Sequence, residues 1–482
     1  MSKDIGQQAV RGAAWLGGGQ LIRQILALAT NIALARMLFP DDFGLFALAL
    51  AAAQIAQILS DFGLGAAIIQ RQEKDRTILT TCFWITLAVG ALIGLALILG
   101  GPLLASFYGR EEVALLVFPL ALNMLICSAI VVPQATLTQD LKFREITTAQ
   151  IIGSITASIG AITLAINGAG VWALASQPVI GNLVTGSLLF YFSPWRPKGR
   201  PQPSKIKGMI RFSSQVLFMN LVSTIGRNLH AIILGKQLNT TALGYYGLAS
   251  GVTGSVIFQI SSVIVRVMFP TIASIKNEPE RIYTAWSKAS SSIAIITLPT
   301  MAGIIAVAPD LVPVVFGQQW IPAIDVLQIL CIVMAVQSVL TTSGTILLAL
   351  GRSDILLRIT LTTVPLIGAA LFYGSNYGIE GAAIGYTTVN VISYFVTTTL
   401  ACREINASSA RFFLNLTPWL LASIVMAIVV STLADSLINF SPWLRLSTCI
   451  LLGAVLYSLL LVIFIRKRTF LIVTDITSRL RG

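Results

Sequence analysis

Apolar segments long enough to cross a lipid bilayer follow one another along almost the whole chain of 482 residues. A membrane-spanning helix needs about 20 predominantly apolar residues. Only 11% of the residues are charged, against about 25% in soluble domains, so a soluble protein is excluded. The sequence therefore predicts an all-α polytopic membrane protein. About fourteen transmembrane helices are predicted near residues 12–37, 43–69, 77–104, 113–138, 147–167, 170–193, 210–236, 242–270, 285–308, 322–350, 355–374, 380–401, 413–434 and 445–465.

The basic residues are distributed unevenly between the two sides of this predicted membrane domain. With the N-terminus placed in the cytoplasm, 25 of the 32 Lys and Arg residues lie in cytoplasmic segments and three lie within spans. Because positive charge is retained on the cytoplasmic side, we expect both termini in the cytoplasm. The net charge of +13 then favours contact with anionic lipid headgroups over nucleic acid as a partner. Four basic residues lie outside: Arg36, Arg110, Lys236 and Arg445.

Two parts of the sequence repeat each other at a nearly constant distance. Residues 32–49 align with residues 232–249, and residues 107–109 and 170–173 recur 208 positions later. These matches predict two copies of a six-span unit, and an even number of spans inserts both copies in the same orientation. Transporters built from such repeats bind substrate between the halves and move them alternately. We predict an N-terminal lobe (1–193), a basic cytoplasmic linker (194–208), a C-terminal lobe (209–402) and two extra helices with a basic tail (403–482).

Arginines within the predicted spans are the first candidates for a binding site. A charged residue at the centre of a span costs about 2.5–3.5 kcal/mol on the insertion scale. Arg23 lies near the centre of the first span, and Arg227 takes a similar place in the seventh. Arg211 lies at the cytoplasmic mouth of the seventh span and Arg266 near the cytoplasmic end of the eighth. Neutral polar residues share the helix faces of Arg23 and Arg227: Gln20, Gln24, Asn31, Asn220 and Thr224.

These arginines have two interpretations, which the sequence alone leaves open. They hold helices together or extend to the lipid headgroups, or they face a cavity that binds an anion. Asp61 is the acid placed clearly within a span, and it either pairs with Arg23 or responds to a proton or sodium gradient. His230, the single histidine, is either a hydrogen-bonding residue or a titrating one. Three Arg against one Asp favour an anionic cargo, and Arg binds phosphate oxygens in a bidentate manner.

The sequence contains no pattern typical of an enzyme or a metal protein. GxxxxGK[ST], HExxH and GxSxG motifs are absent, and the segment Pro309–Pro322, taken as an external loop, holds only Asp310 as an acid. The five cysteines are widely spaced in mostly apolar runs, so neither a disulfide framework nor a metal site is predicted. We therefore expect no catalytic residue, no metal and no bound cofactor.

One segment resembles a known family. LARMLFPDDFGLFALALAAAQIAQILSDFGLGAAIIQRQE, from Leu34 to Glu73, is similar to the opening of the polysaccharide transporter family, the Wzx-type flippases that include colanic acid exporter-like proteins. FGQQW (Phe316–Trp320) and LALGR (Leu348–Arg352) resemble it as well. The resemblance implies the multidrug/oligosaccharidyl-lipid/polysaccharide exporter fold, with two six-helix lobes and two extra C-terminal helices. It further implies a multi-pass flippase of the bacterial inner membrane.

Such a flippase moves undecaprenyl-diphosphate-linked oligosaccharide units by alternating access, for exopolysaccharide or lipopolysaccharide assembly. On this hypothesis Arg23 and Arg227 meet the diphosphate between the lobes, with Arg211 and Arg266 near the inner entrance. The expected partners are the lipid-linked oligosaccharide, membrane lipids, and the polysaccharide polymerase and export machinery. A proton or sodium gradient is the expected energy source. Three alternatives stay open: a multidrug/cation antiporter of the same superfamily, a membrane glycosyltransferase or polymerase, and a lipid II flippase.

Overall fold

The structure is a computed structural model that describes residues 2–61, 63–202 and 207–481. The regular elements in these ranges are all helices, which confirms the predicted all-α class. Side chains are described within these ranges except at residues 2–14, 16, 61, 207–216, 218–219, 255–263, 265–267, 270 and 463–481.

Sixteen α-helices are described, and two short 3-10 helices accompany them at Gln318–Ala323 and Ser375–Tyr377. Proline, glycine and charged residues separate them, as the sequence predicts. In chain order the helices are α1 (Ser2–Met37), α2 (Pro40–Asp61), α3 (Leu64–Arg71), α4 (Arg76–Tyr108), α5 (Glu112–Gln139), α6 (Phe143–Ile166), α7 (Val171–Phe192), α8 (Lys207–Gln237), α9 (Thr240–Ser274), α10 (Pro279–Val315), α11 (Ile324–Leu340), α12 (Thr342–Ala349), α13 (Ser353–Gly374), α14 (Gly378–Glu404), α15 (Ser409–Ser436) and α16 (Pro442–Arg481).

Two of the predicted spans are each built from two helices. A break at Gly63, whose φ is 66°, separates α2 from α3, and Thr341 separates α11 from α12. With each pair counted as one segment, the described helices form the fourteen segments that the sequence predicts. Ten stretches of the described chain are long and apolar enough to cross a membrane, and one of them, Ser353–Glu404, contains both α13 and α14.

Polar side chains and a glycine fix several helix ends. Asp75 begins α4 by accepting a hydrogen bond of 2.8 Å from the backbone N–H of Thr77. Asn239 precedes α9 and accepts from the backbone N–H of Ala242 at 2.7 Å. Such caps satisfy donors that have no partner within the helix. Gly109 ends α4 with a φ of 70°, which glycine adopts without steric cost.

The predicted repeat is visible in the positions of the helix ends. α1 ends at Met37 and α2 begins at Pro40, whereas α8 ends at Gln237 and α9 begins at Thr240. Both pairs of residues are 200 positions apart, the offset of the first sequence match. The same two-residue turn therefore joins the first two helices of each copy.

Glycines mark the other two repeated positions. Gly109 and Gly317 have positive φ and lie just after the ends of α4 and α10. Gly170 and Gly378 also have positive φ and lie at the starts of α7 and α14. Each pair is 208 positions apart, so the chain changes direction at equivalent places in the two copies.

Packing divides the chain into two compact units, Met1–Gly244 and Tyr245–Gly482, called here the first and second units. In the first unit, α6 packs against α1 and α7, α4 against α5, and α8 against α2. In the second, α10 packs against α11, α15 and α16, and α13 against α14. The first unit includes α8, the first helix of the second copy. The predicted lobes follow the repeat and not the packing, and their boundaries stay a prediction.

Part of the expected external loop Pro309–Pro322 is helical. α10 continues to Val315, so Pro309 and Asp310 lie inside it. Asp310 is buried, and Arg445 of α16 donates to its Oδ2 from Nε at 2.7 Å. This pairing supplies the counter-charge that a buried carboxylate requires.

Candidate functional site

A cavity of about 850 Å³ lies within the first unit. Residues of α1, α2, α3, α5, α6, α7 and α8 line it. Its volume is in the range of roughly 300–1,000 Å³ that is typical of small-molecule sites. Apolar residues form most of its wall, and six amides and four hydroxyls are set among them: Gln57, Gln134, Gln150, Gln177, Asn182, Asn220, Thr138, Ser154, Ser158 and Thr185.

Among the lining residues whose side chains the structure describes, Arg23 is the single charged one. Its guanidinium donates from Nη2 to Gln20 Oε1, one helical turn earlier. Its Nε is buried and has no hydrogen-bond partner among the described residues. A buried donor without a partner is costly, so a movement of the side chain that brings this N–H to an acceptor in the cavity would be favourable.

A hydrogen bond between helices fixes the face of α1 that carries Arg23. Thr30, two turns after Arg23 on the same face, donates to Ser158 Oγ of α6 at 2.7 Å. Thr30 is buried and Ser158 lines the cavity. The rotation of α1 that this contact holds directs Arg23 to the cavity.

The wall formed by α6 and α7 depends on glycine. A Cβ at Gly153 would overlap Thr185 Oγ1 and lie 2.6 Å from the carbonyl oxygen of Gly181. A Cβ at Gly181 would lie 3.2 Å from the Cβ of Ala157. Small residues thus let the two helices approach closely.

The structure brings only some of the predicted polar residues of α1 to the cavity. Arg23 lines it, and Gln20 contacts Arg23. Gln24 is half-buried and Asn31 is exposed, and neither belongs to the lining. The predicted polar face of α1 is therefore wider than the part of it that faces the cavity.

Likewise, only some of the predicted residues of α8 line the cavity. Asn220 lines the cavity that Arg23 lines. Arg227 is exposed and does not line it, and its guanidinium donates to Ser223 Oγ at 3.1 Å and to Thr224 Oγ1 at 2.8 Å. His230 lies outside the lining and forms a hydrogen bond with the backbone of Arg227. The structure places Arg23, and not Arg227, at this cavity.

Three predicted positions lie outside the described side chains: Asp61, Arg211 and Arg266. Two neighbours on the predicted face of Asp61 are described. Gln54 accepts a hydrogen bond of 3.0 Å from Asn228 of α8, and Gln57 lines the cavity.

Sequence reasoning missed the amides of α5, α6 and α7. Asn182 donates to Asn123 Oδ1 at 2.8 Å, a contact between α7 and α5. The side chains of Gln134, Gln150 and Gln177 have no hydrogen bond to another described residue. Neutral amides carry no charge that marks them within an apolar span, although their frequency in α5–α7 could have drawn attention to them.

A second polar cluster lies where α2 and α9 begin, and we call Asp41, Arg110, Thr240 and Thr241 the Asp41 cluster. Arg110 donates to Asp41 Oδ2 at 2.8 Å and to Thr240 Oγ1 at 2.7 Å. Thr241 donates to Asp41 Oδ1 at 3.2 Å. The hydrogen bond with Asp41 raises the pKa of Arg110. These hydrogen bonds therefore join the start of α2 to the start of α9, its equivalent in the second copy.

Reciprocal glycine contacts accompany the Asp41 cluster. A Cβ at Gly44 would overlap the carbonyl oxygen of Thr240, and a Cβ at Gly244 would overlap that of Pro40. Gly44 and Gly244 are 200 positions apart, as are Pro40 and Thr240. Each turn thus contacts its repeat equivalent in the same way, and only glycine allows the backbones to come so close.

Within the described residues, no three His, Cys, Asp or Glu side chains are grouped as metal ligands. The five cysteines are free thiols. The described arrangement thus offers a cation and neutral hydrogen-bonding groups, which suit an anionic and hydroxyl-rich ligand.

Comparison with known proteins gives a family and a fold. Residues 33–325 match the polysaccharide biosynthesis protein family. The chain is 28% identical over 441 residues to the lipopolysaccharide biosynthesis protein WzxC of Escherichia coli K12, covering 88% of each chain. It is 25% identical over 445 residues to the succinoglycan biosynthesis transport protein ExoT of Rhizobium meliloti, covering 91% of this chain and 89% of ExoT.

A solved structure of the lipid II flippase MurJ, in an inward closed conformation, is similar to this chain with a TM-score of 0.75. It is 12% identical, and the match covers 93% of this chain and 98% of MurJ. At this identity the likeness concerns the fold, and it confirms the predicted class of all-α polytopic membrane protein.

Proposed function

The chain belongs to the polysaccharide biosynthesis protein family, and we propose that it is a flippase for polyprenyl-diphosphate-linked oligosaccharides. The cargo would cross the bacterial inner membrane for exopolysaccharide or lipopolysaccharide assembly. The names of WzxC and ExoT support polysaccharide assembly and transport as its setting. The observation that carries the proposal is the polar cavity of the first unit, in which Arg23 supplies the single described charge.

Arg23 binds the diphosphate of the cargo in this proposal. Its Nε is buried and lacks a partner among the described residues, so a phosphate oxygen would satisfy it. A guanidinium presents two parallel N–H groups to phosphate oxygens, and such charge-assisted hydrogen bonds are stronger than neutral ones. The prenyl tail stays in lipid, where it costs no desolvation of polar groups. Roles for Arg227, Arg211 and Arg266 remain predictions.

The lining of the cavity disfavours the alternative of a cation exporter. No Asp or Glu occurs among the described lining residues, which offer a cationic drug the positive charge of Arg23 and no carboxylate. Moving a lipid-linked sugar between leaflets also requires no bond to form or break. We therefore assign the chain no catalytic residue.

The distribution of basic residues supports an orientation with both termini in the cytoplasm. The cytoplasmic loops then contact anionic lipid headgroups, and the cargo is delivered to the outer leaflet. There a polysaccharide polymerase and the export machinery would receive it. Reporter fusions at the C-terminus test this orientation, because alkaline phosphatase is active only outside the cytoplasm and green fluorescent protein only inside it.

Alternating access gives the Asp41 cluster a role in this proposal. With this orientation, the turns before α2 and α9 lie at the outer ends of their helices. Arg110 and Asp41 hold these turns together, so the cluster must separate when the cavity opens outward. A proton or sodium gradient is our proposed source of energy for the cycle.

The proposal is tested by the leaflet distribution of lipid-linked oligosaccharide in cells that lack this protein. We expect accumulation on the cytoplasmic side, corrected by the unaltered protein and not by the Arg23→Ala variant. Arg23→Lys should restore part of the transport if charge alone matters, and little if bidentate geometry does.

The matched control is Arg76→Ala, which removes an exposed arginine of the same unit outside the cavity. All variants must reach the membrane in equal amounts. Normal leaflet distribution in the deletion strain, without another flippase to compensate, would contradict the proposal. Increased drug sensitivity of that strain would favour the multidrug exporter instead.

A further inference from the structure

The amides of the cavity have a different chemistry from Arg23, and they have no assigned role so far. Gln134, Gln150 and Gln177 come from α5, α6 and α7, and no described residue occupies their hydrogen-bonding groups. Each amide offers one acceptor oxygen and two donor hydrogens. Three helices therefore present neutral donors and acceptors without described partners to one cavity.

Hydrogen bonds to two residues of α5 orient a fourth amide, that of Asn182. Its Nδ2 donates to Asn123 Oδ1 at 2.8 Å and to Cys127 Sγ at 3.4 Å. With the nitrogen directed to α5, the acceptor Oδ1 of Asn182 is available to a donor in the cavity. Asn182 thus adds an oriented acceptor to the three amides that have no described hydrogen-bond partner.

Two prolines lie beside these amides. Pro133 precedes Gln134 in α5, and Pro178 follows Gln177 in α7. Proline has no backbone N–H, so the carbonyl of Leu174, four residues before Pro178, lacks its usual helical donor. α7 stays helical through Pro178, and such a proline is tolerated in a membrane helix where neighbouring groups can satisfy the freed carbonyl.

We infer that Gln134, Gln150, Gln177 and Asn182 form a subsite, here called the amide subsite, for the hydroxyl groups of uncharged sugar rings. This inference rests on the proposed function, and it adds the chemical class of sugar. A sugar hydroxyl donates and accepts a hydrogen bond, which complements a neutral amide. The described lining offers one cation, Arg23, which the diphosphate occupies in the proposed function, so no second described cation would neutralise a sugar carboxylate.

The amide subsite also suits release of the cargo. Phe46 is the one aromatic residue in the described lining, which therefore offers little surface for stacking. Neutral hydrogen bonds in a wet cavity give modest net free energies, because they replace hydrogen bonds to water. A carrier that binds the sugar weakly at several points can release it on the other side.

The test measures binding to the full-length protein in lipid nanodiscs with three probes. They are farnesyl diphosphate, the same lipid diphosphate carrying one glucose, and the same carrying one glucuronic acid. We expect the glucose probe to bind more tightly than the other two. Gln150→Leu and Gln177→Leu should weaken it by about three- to tenfold for each hydrogen bond lost, and should leave farnesyl diphosphate binding unchanged.

Gln150 and Gln177 are chosen because no described group loses a partner when either amide is removed. The control is Gln70→Leu, which removes an exposed amide of the first unit outside the lining. Equal binding of the glucose and bare probes, or an equal effect of the amide variants on both, would overturn the inference. Tighter binding of the glucuronic acid probe would overturn the preference for uncharged sugars.

The variant Arg23→Ala distinguishes failure of the amide subsite from failure of the proposed function. If Arg23 binds the diphosphate, the variant weakens all three probes. Unchanged binding of all three would contradict the role of Arg23, whereas loss of all three together with indifferent amide variants would contradict only the amide subsite.

Discussion

Two groups of polar side chains within the membrane helices, one in each unit, differ in whether they have hydrogen-bond partners. In the first unit, Gln150 and Gln177 line a cavity and have no described partner. In the second, Trp286 donates from Nε1 to Thr342 Oγ1 at 2.9 Å, and Ser290 lies 3.0 Å from the same oxygen, all within a buried core. One arrangement leaves hydrogen-bonding groups for a ligand, and the other uses them to join helices.

Other buried polar side chains of the second unit also form hydrogen bonds between helices. Ser338 donates to Thr297 Oγ1 at 2.8 Å, and Ser343 and Thr398 lie 2.8 Å apart. A polar group out of contact with water must find a partner in the protein, whereas one facing a wet cavity need not. The difference teaches that pairing, and not polarity, distinguishes a binding wall from a structural contact.

The largest loss of stability is expected at the ion pair of the second unit. Arg445→Ala leaves the carboxylate of Asp310, whose side chain is 7% exposed, without its counter-charge. Breaking a buried pair costs about 3–5 kcal/mol. Thermal unfolding of the purified protein measures this loss. The double variant Asp310→Leu with Arg445→Met should recover most of it, and equal instability of the single and double variants would contradict the explanation.

Thr342→Val should cost less, about 1–3 kcal/mol, because it leaves Trp286 Nε1 buried without an acceptor. Valine has nearly the shape of threonine, so the change removes hydrogen bonds and little packing. Transport per folded molecule should stay normal. The same unfolding measurement checks the loss, and unaltered stability would show that the network is not a structural contact.

Gln150→Leu should change the free energy of unfolding by no more than about 0.5 kcal/mol, as substitutions away from buried networks usually do. The amide has no described partner to lose. Transport should nevertheless fall, which is the reverse of the result expected for Thr342→Val. A large loss of stability would mean that the cavity wall is structural and would remove the contrast between the units.

The smallest effect is expected at Arg227. Arg227→Ala removes an exposed side chain whose described partners, Ser223 and Thr224, lie on its own helix. Stability should be unchanged, and transport should be affected less than by Arg23→Ala. The assay is the leaflet distribution used for Arg23. Equal loss of transport in both variants would instead support the symmetric site that the sequence predicts.

Much of the fold follows from the sequence because the bilayer restricts the choices. Backbone groups in hydrocarbon must be satisfied within helices, so apolar length alone predicts the fourteen segments. The repeat also appears in the sequence, since turn and glycine positions recur at offsets of 200 and 208. The segment around Asp310 was placed wrongly in a loop, because its partner Arg445 is 135 positions away.

The site was only partly predictable. Arg23 stands out because a charge within a span is costly, and the structure places it at the cavity. Arg227 stands out equally in the sequence but bonds to its own helix outside the cavity lining. Asn182 and Gln177 give no such signal, since a neutral amide costs far less than a charge.

The sequence by itself determined the membrane class, the number of spans, the duplicated arrangement and the expected side of the basic loops. These properties depend on local hydropathy and on charge counts, which need no knowledge of neighbours in space. Only the tertiary structure decided which polar side chains have a hydrogen-bond partner in the protein and which face a cavity. That outcome depends on helix rotation and close packing, such as the contact of Gly153 with Thr185, and residues distant in the chain set both.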